Sequence, residues 1–582
     1  MPRTPSSHAS RDASLLRKLA LGMLVVSSAV PLALNLADPD LWGHVRYGQD
    51  WLAEGQLPRT ATHTYTAEGH PWVNHENLAE LAFAFGFPML GNTGMLAAKC
   101  LLGLAILGLM HLAARRQGID PIVTWALLLL VANNLQAFFP LRPQLLSFLL
   151  CGVMLFLLER AFDLSSLPRR VDWRWLAPLP VLMVVWVNSH GGFVAGLAIL
   201  SAYLIGRSVE GFVHGDPARW RNTLAFGGLL TVCFAAVLVN PYGVGLASWL
   251  VESLGAARPE ITEWAPPRPG NPVFWPLVAL GVTAISSILF STERRDWVKI
   301  AILALVGWQA AEHLRHIAFF ALLCGFWLPA HVQSVVQRVG SQLRANLPTA
   351  SLATWQKGVA VTALAAVIGL QSVALADRMS TLPVYRSHYP IEALHWMAEH
   401  TPEGKLVVCF NWAQYAIAAL APEMKVAFDG RFRTCYPQEI VDMSFDFLMG
   451  DLGPRNRSEH SGPIDGARVL EHGEPDYVLV DRRYVHAVGV MQKETQSDSP
   501  RWSLIYQDAL AQLWGRASLV DDPASVRFMP QADRVVSDIA VGGAVEWPAL
   551  PKVARDSNQT AAEGAIGDAA PDGRALYSTL GK

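Results

Sequence analysis

Eleven apolar runs, each close to the length that crosses a bilayer, leave this chain few folds to choose from. They fall near residues 16–36, 94–113, 121–140, 143–160, 176–191, 193–208, 223–240, 272–290, 297–312, 315–336 and 356–375. A membrane core takes about 20 apolar residues as a helix, because lipid offers no partner to an unpaired amide or carbonyl. The 297–312 run is short, and 176–208 reads either as a kinked pair or as a helical hairpin, so eleven is the best count. Of the 582 residues 52% are hydrophobic and only 16% charged, against roughly 25% charged in soluble domains. An integral membrane protein is expected. The formal net charge of -2 lacks the basic excess of nucleic-acid-binding proteins and excludes that class of partner. The N-terminus is basic and then apolar, like a signal peptide, but its apolar run is span-length and reads as a retained first helix.

Loop charges orient the helices. Arg11, Arg17 and Lys18 place residues 1–15 in the cytoplasm, since basic loops stay inside. Alternating from there, Arg115 and Arg116, then Arg169, Arg170 and Arg174, then Arg219 and Arg221, Arg294 and Arg295, Arg338 and Arg344 all fall on that same side. An odd number of spans sends residues 376–582 across. The junctions "DPDLWGH", "PWVNHENLAE", "LRPQ", "VNSHGG", "VNPYG", "ITEW" and "AEHLRH" collect on the opposite, extracytoplasmic face. Ionisable groups at membrane depth are costly and mark function by default. This face is expected to hold a site.

The first outer loop, 37–78, is long for a connection between spans, and long ordered loops are often functional. In "DPDLWGH", Asp38 precedes a proline that fixes an extended turn. Asp40 then stands at the expected N-cap of an amphipathic helix, with Leu41, Val45 and Trp51 as membrane-surface anchors. Two readings stay open for Asp38 and Asp40. One is a cap beside an interfacial belt formed by Trp42 and Trp51; the other is a carboxylate that takes a proton. Around them lie His44, His75, Glu76 and Glu80, with Asn188 and His190 in "VNSHGG" and Glu312, His313, Arg315 and His316 in "AEHLRH". His190 alone reads as a satisfied histidine between packed helices. Lys99, Arg142 and Arg315 either snorkel to the interface or hold a phosphate, for which guanidinium is well shaped. Carboxylate plus phosphate clamp is what a transferase using a lipid phosphate needs. No spacing is diagnostic of a metal site, so no cofactor is expected, with a divalent metal as the competing chemistry. Dinucleotide and P-loop fingerprints are absent. A secondary transporter fits poorly, because its polar groups would lie at the midplane.

The stretch "DPDLWGHVRYGQDWLAEGQLPRTATHTYTAEGHPWVNHENLAELAF" resembles the first outer loop of bacterial polytopic membrane proteins related to the C superfamily of glycosyltransferases. Those relatives read approximately D-x-D-L-W-x-H, then G-x-[LI]-P, then P-W-V-x-H-E-W-L. Here "NHEN" stands where the last block usually carries tryptophan. "RPQLLSFLL", "NSHGGFVAGLAIL", "VNPYG", "ITEWAPP", "RHIAFFALL", "YPIEALHWMAEH", "FNWAQYAIAAL" and "VAFDGR" extend the resemblance over most of residues 30–485. It implies a bacterial inner-membrane enzyme that uses a polyprenyl-phosphate-linked sugar, with a catalytic acid in the first outer loop. By position that role falls on Asp40 or Asp38, with Asp40 preferred. The implied partners are the lipid-linked donor, membrane lipids, and a glycan, lipid or protein acceptor of the cell envelope.

The expected fold is thus an α-helical polytopic membrane protein of this glycosyltransferase type, spanning residues 16–375, with an extracytoplasmic α/β domain over 376–549. In that domain "GKLVVCFN", "MKVAFDGR", "DYVLVDRR" and "WSLIYQDALAQLWGR" read as strands alternating with helices, the signature of α/β or α+β architecture. Asp429 and Arg431 form an expected ion pair at a strand end. Cys409 and Cys435 are free to pair if this domain lies outside. The tail 550–582 is polar and aperiodic, and disorder is expected. The alternative to an enzyme is a non-catalytic scaffold or assembly factor on the same fold.

Overall fold

The computed structural model describes residues 7–162, 170–254, 259–346, 353–401, 403–453, 455–496 and 499–552. Residues 553–582 of the expected tail, and Arg169, lie outside the described residues. Each apolar run forms a helix or a helix pair. The first half contains α1 (Ser7–Leu32), α2 (Leu41–Glu54), α3 (Asn77–Arg116), α4 (Pro121–Leu135), α5 (Gln144–Ala161), α6 (Leu179–Val187) and α7 (Phe193–Val213). The second contains α8 (Arg219–Ala236), α9 (Val244–Leu254), α10 (Phe274–Phe290), α11 (Trp297–Glu312), α12 (Ile317–Trp327), α13 (Pro329–Asn346) and α14 (Thr354–Ser380). Among the described residues six segments are long and apolar enough to cross a membrane alone: Ser14–Leu32, Asn77–Arg116, Pro121–Phe138, Gln144–Ala161, Phe193–Val213 and Thr354–Ser380. Leu314–Trp327 and Pro329–Gln342, bent by 61°, make a seventh as a pair. The protein is a multi-pass, mostly helical membrane protein.

Local chemistry sets the helix ends. Asp120 caps α4 by accepting from the Ile122 amide at 2.8 Å, and Pro121 fills the first helical position, where a missing N–H costs nothing. The 176–208 run is a pair of helices broken at "NSHGG". Helix α3 starts some 17 residues ahead of its expected apolar window and breaks at Gly91, whose φ of 63° needs a residue without a side chain. Every residue of α12 is buried, against α4, α5 and α11. A helix that is apolar all round belongs at the centre of a bundle. By contrast α14 runs along α1 and buries none of its residues. Its exposed Val359, Leu370 and Val373 suit lipid rather than water.

The C-terminal part alternates strands and helices as expected. A two-stranded ribbon pairs β1 (Pro383–Tyr385) with β8 (Ala544–Glu546). Between them lie α15 (Ile391–His400), β2 (Gly404–Val408), α16 (Phe410–Leu420), β3 (Met424–Val426), α17 (Gln438–Met449) and β4 (Tyr477–Asp481). After these come α18 (Val485–Thr495), β5 (Trp502–Gln507), β6 (Ala511–Arg516) and β7 (Val535–Val536). The six-stranded sheet has the order β3-β2-β4-β6-β5-β7. Strand β2 lies parallel to both β3 and β4, while β5 and β6 form an antiparallel hairpin. Cys409 and Cys435 are both buried free thiols, so the disulfide is not formed.

This domain sits on the first loop, and there the sequence expectations need correcting. Leu41 and Val45 are buried rather than membrane-facing, and Trp42 is 1% exposed. The Trp42 ring packs on Tyr415 and Tyr389, with centroids 4.7 and 4.9 Å away, and its N–H donates to Pro548 O at 2.8 Å. Trp42 is therefore a core residue between loop and domain, not part of an interfacial belt. The loop also extends the sheet edge: Val426 N–H donates to His63 O at 2.9 Å beside β3.

Candidate functional site

The "DPD" turn and "LRPQ" meet at one end of the bundle. The Asp38 side chain accepts the amide of Asp40 at 3.0 Å, so it is Asp38 that caps the turn. Asp40 makes no side-chain cap bond to α2. Its carboxylate turns instead to Arg142, at the start of α5, with Oδ2 2.9 Å from Nη2. The same guanidinium reaches Glu263 Oε1 at 2.6 Å and Asp38 Oδ1 at 3.3 Å. One arginine thus joins the first loop, the break before α5, and the short turn Thr262–Trp264. Burial raises the Asp38 carboxyl to about 6 despite Arg142. Glu263 goes the other way: burial would raise it, but Arg142 and Arg315 hold it below the usual carboxylate range. Arg315 lies over the Trp264 ring at 4.6 Å. It has no ion-pair or hydrogen-bond partner among the described residues.

A second group adjoins the first. Glu76 lies between two imidazoles, with Oε1 3.7 Å from His190 Nε2 and Oε2 3.9 Å from His44 Nδ1. Burial would raise its pKa, but the positive charge around it, His44 first, lowers it. His44 also meets Glu80 at 3.5 Å, and Glu80 is held in turn by Asn74 Nδ2 at 2.5 Å. Burial alone would lower His44; Glu80, Glu76 and Asp40 outweigh it and push the imidazole up to about 8. His190 is pushed down to about 3, by burial first, with His75, Arg315 and Arg142 adding to it. One histidine is held charged and the other neutral within the same cluster. Among the described residues, no three His, Cys, Asp or Glu side chains are arranged to hold one metal ion.

The C-terminal domain forms the roof. A side chain on Gly430 would put Cβ 2.3 Å from Asp40 Oδ1. The flanking Asp429 and Arg431 form the expected ion pair, 2.9 Å from Oδ1 to Nε and 2.7 Å from Oδ2 to Nη2. Arg431 lies against the rings of both Tyr47 and Trp72, each 4.7 Å away, and donates to Thr62 O at 2.5 Å. It bolts the roof to the loop that carries Asp40.

No family model matches the sequence, and no curated protein does. Solved structures do match. ArnT from Cupriavidus metallidurans in the apo state aligns with a TM-score of 0.50 at 13% identity, over 90% of this chain and 100% of that one. The chain therefore shares its overall fold with ArnT. The archaeal oligosaccharyltransferase AglB from Archaeoglobus fulgidus, in complex with an inhibitory peptide and a dolichol-phosphate, aligns at 0.49 and 13% identity, over 79% of this chain and 69% of that one.

Within this fold the expected residues divide. Asp38, Asp40, His44, Glu76, Arg142, His190 and Arg315 are brought into one electrostatic neighbourhood, and His75 lies at its edge, 5.5 Å from the Trp249 ring. Asn188 spends its amide on Val184 O and Val239 O at 2.8 and 2.9 Å, which ties α6 to the end of α8. Lys99 is buried within α3 and donates to Leu34 O beyond the end of α1. Two contributors escaped the sequence reading as site residues. Glu263 stands in "ITEW", a junction conspicuous for being polar, but nothing local marks it as a partner of Arg142. Ser147 lies inside an apolar helix, with no signal at all.

Proposed function

We propose that the chain is a membrane glycosyltransferase moving a sugar from a polyprenyl-phosphate-type donor to an acceptor of the cell envelope. The reaction takes place at the extracytoplasmic face of a bacterial inner membrane, with a first-loop aspartate as base. The observation that carries the reading is Arg142 holding Asp38, Asp40 and Glu263 beside Arg315, a cation with no ion pair among the described residues. Carboxylates fixed in place can take the acceptor's proton. Arg142 is saturated by carboxylates, so among the described residues of this cluster Arg315 is the cation left to meet the phosphate that departs as the sugar is transferred. Asp40 is preferred as base, since Asp38 is 6% exposed and caps its own turn. Its counterpart in the resembled pattern is the acidic residue before Leu-Trp.

Arg142's three ion pairs also favour a second reading. Groups paired off with one another are what a non-catalytic scaffold on this fold would show. A transfer assay separates the two. Purified wild type, Asp40→Asn and Asp38→Asn are incubated with radiolabelled polyprenyl-phosphate sugars and membrane extract. Transfer by wild type and a loss of about 100-fold or more in Asp40→Asn, with folding intact, is the expected result. No transfer by wild type with any donor would give precedence to the scaffold.

A further inference from the structure

The junction "NSHGGFVAG" contains more order than a helix break requires. Trp186, at the end of α6, donates its indole N–H to Ser147 Oγ at 2.7 Å. An indole N–H only donates, so Ser147 accepts there and must send its own proton elsewhere. His190 Nδ1 lies 2.9 Å from the same oxygen. Gly192 N–H points at that nitrogen too, at 3.0 Å. Two donors on Nδ1 leave it unprotonated and put the ring's proton on Nε2. The glycines make room for this relay. A Cβ on Gly192 would come within 2.5 Å of Ser147 Oγ, and one on Gly196 within 2.3 Å of the Trp186 ring. Ser147 and Trp186 are both fully buried, so water does not compete.

The protonated Nε2 faces Glu76 Oε1 across 3.7 Å. That is too long for a hydrogen bond, and the Glu76 carboxylate accepts none from the described residues. A neutral donor beside an ionised acceptor suits one hydroxyl, which can accept from Nε2–H and donate to the carboxylate. We propose that Ser147 and Trp186 hold His190 as its Nε2–H tautomer, so that His190 and Glu76 bind one hydroxyl of the sugar substrate. The identity of the hydroxyl rests on the glycosyltransferase reading; the tautomer does not. Ser147 and Trp186 are positioning residues, acting through His190.

The test is nitrogen NMR on the full chain in detergent micelles, with ¹⁵N-labelled histidine and His190 assigned by its loss in His190→Gln. Wild type is expected to show an unprotonated Nδ1 and a protonated Nε2 at neutral pH. Ser147→Ala is expected to move both signals toward a mixture of tautomers. Trp186→Phe keeps an aromatic ring but frees Ser147 to turn its proton away, and is expected to shift them in the same sense. A proton on Nδ1 in wild type overturns the proposal, as do variants whose ring signals stay at the wild-type positions. The second arm adds a short-chain polyprenyl-phosphate hexose and follows its ³¹P line. Binding is expected to shift Nε2, and Ser147→Ala to bind about fivefold to tenfold more weakly. A bound probe that leaves Nε2 unmoved overturns the hydroxyl assignment. A ³¹P line that never moves sinks the glycosyltransferase reading instead, while the tautomer still stands or falls on the first arm.

Discussion

Asp38 and His44 are six residues apart, and burial has opposite consequences for their proton affinities. Burial raises the Asp38 carboxyl from 3.8 to about 6. Protonating it withdraws one of the three carboxylates that hold Arg142, and so disturbs the ion pair that fixes Asp40 in place. Transfer should therefore rise with pH through about 6 in wild type, and Asp38→Asn should remove that limb from the rate profile. The same shift bears on stability. The unfolded chain releases this proton near 3.8 and the folded chain near 6, so Asp38 costs stability as pH rises between those values. For His44 the carboxylates of Glu80 and Glu76 outweigh burial and raise it from 6.5 to about 8. Its contribution is fully present below 6.5 and lost as pH rises through 8, about 2 kcal/mol in all. Thermal unfolding measured from pH 6 to 9 should show that loss in wild type. His44→Gln should flatten it, and an unchanged slope would remove His44 from the account.

At the scale of elements, the turn after β3 is pressed onto the turn before α2, and Gly430 is where they touch. Alanine there would place Cβ 2.3 Å from Asp40 Oδ1 and 2.8 Å from Gln414 Nε2. Asp40 cannot yield without leaving Arg142, and Gln414 is held by Tyr47 Oη at 2.8 Å. Gly430→Ala should cost about 1–3 kcal/mol, as overpacking does, and should depress transfer beyond what the stability loss explains. Retained transfer at a normal unfolding temperature would show that the roof does not position Asp40. The elements themselves were largely legible in the sequence, because a bilayer-length apolar run has few alternatives to a helix. Legible too was the gathering of "DPD", "LRPQ", "NSHGG", "ITEW" and "AEHLRH", since each interrupts an apolar run at alternate turns of the chain. The destination of each side chain was not. Asp40 looked like a cap because its neighbours in sequence form a helix, but an ion pair with Arg142 outcompetes a cap bond. Trp42 looked interfacial because no local pattern reveals a domain folding back over it from beyond residue 380.

At the scale of the whole molecule, orientation is a matter of charge. The helices place the Asp40 cluster at one end of the bundle. Near the other end Lys299 meets Glu159 at 2.5 Å and Arg207 meets Asp296 at 2.6 Å. The basic loops at Arg115, Arg174, Arg219 and Arg294 adjoin that second end. If basic loops remain in the cytoplasm, the cluster and its roof face the other way, where a polyprenyl-linked donor would present its sugar. The six native cysteines are all buried free thiols, so a single introduced cysteine should label without background. Arg174, with 88% of its side chain exposed, reports the basic end. Glu403, with 68% exposed, reports the roof. In right-side-out membrane vesicles an impermeant maleimide should label Glu403→Cys at once and Arg174→Cys only after the membrane is opened. The reverse order would put the site in the cytoplasm, where the donor would have to be a different molecule. Equal labelling of both before opening would mean that the chain is not held across the bilayer with these two ends apart. That outcome would remove the common premise of the enzyme and scaffold readings.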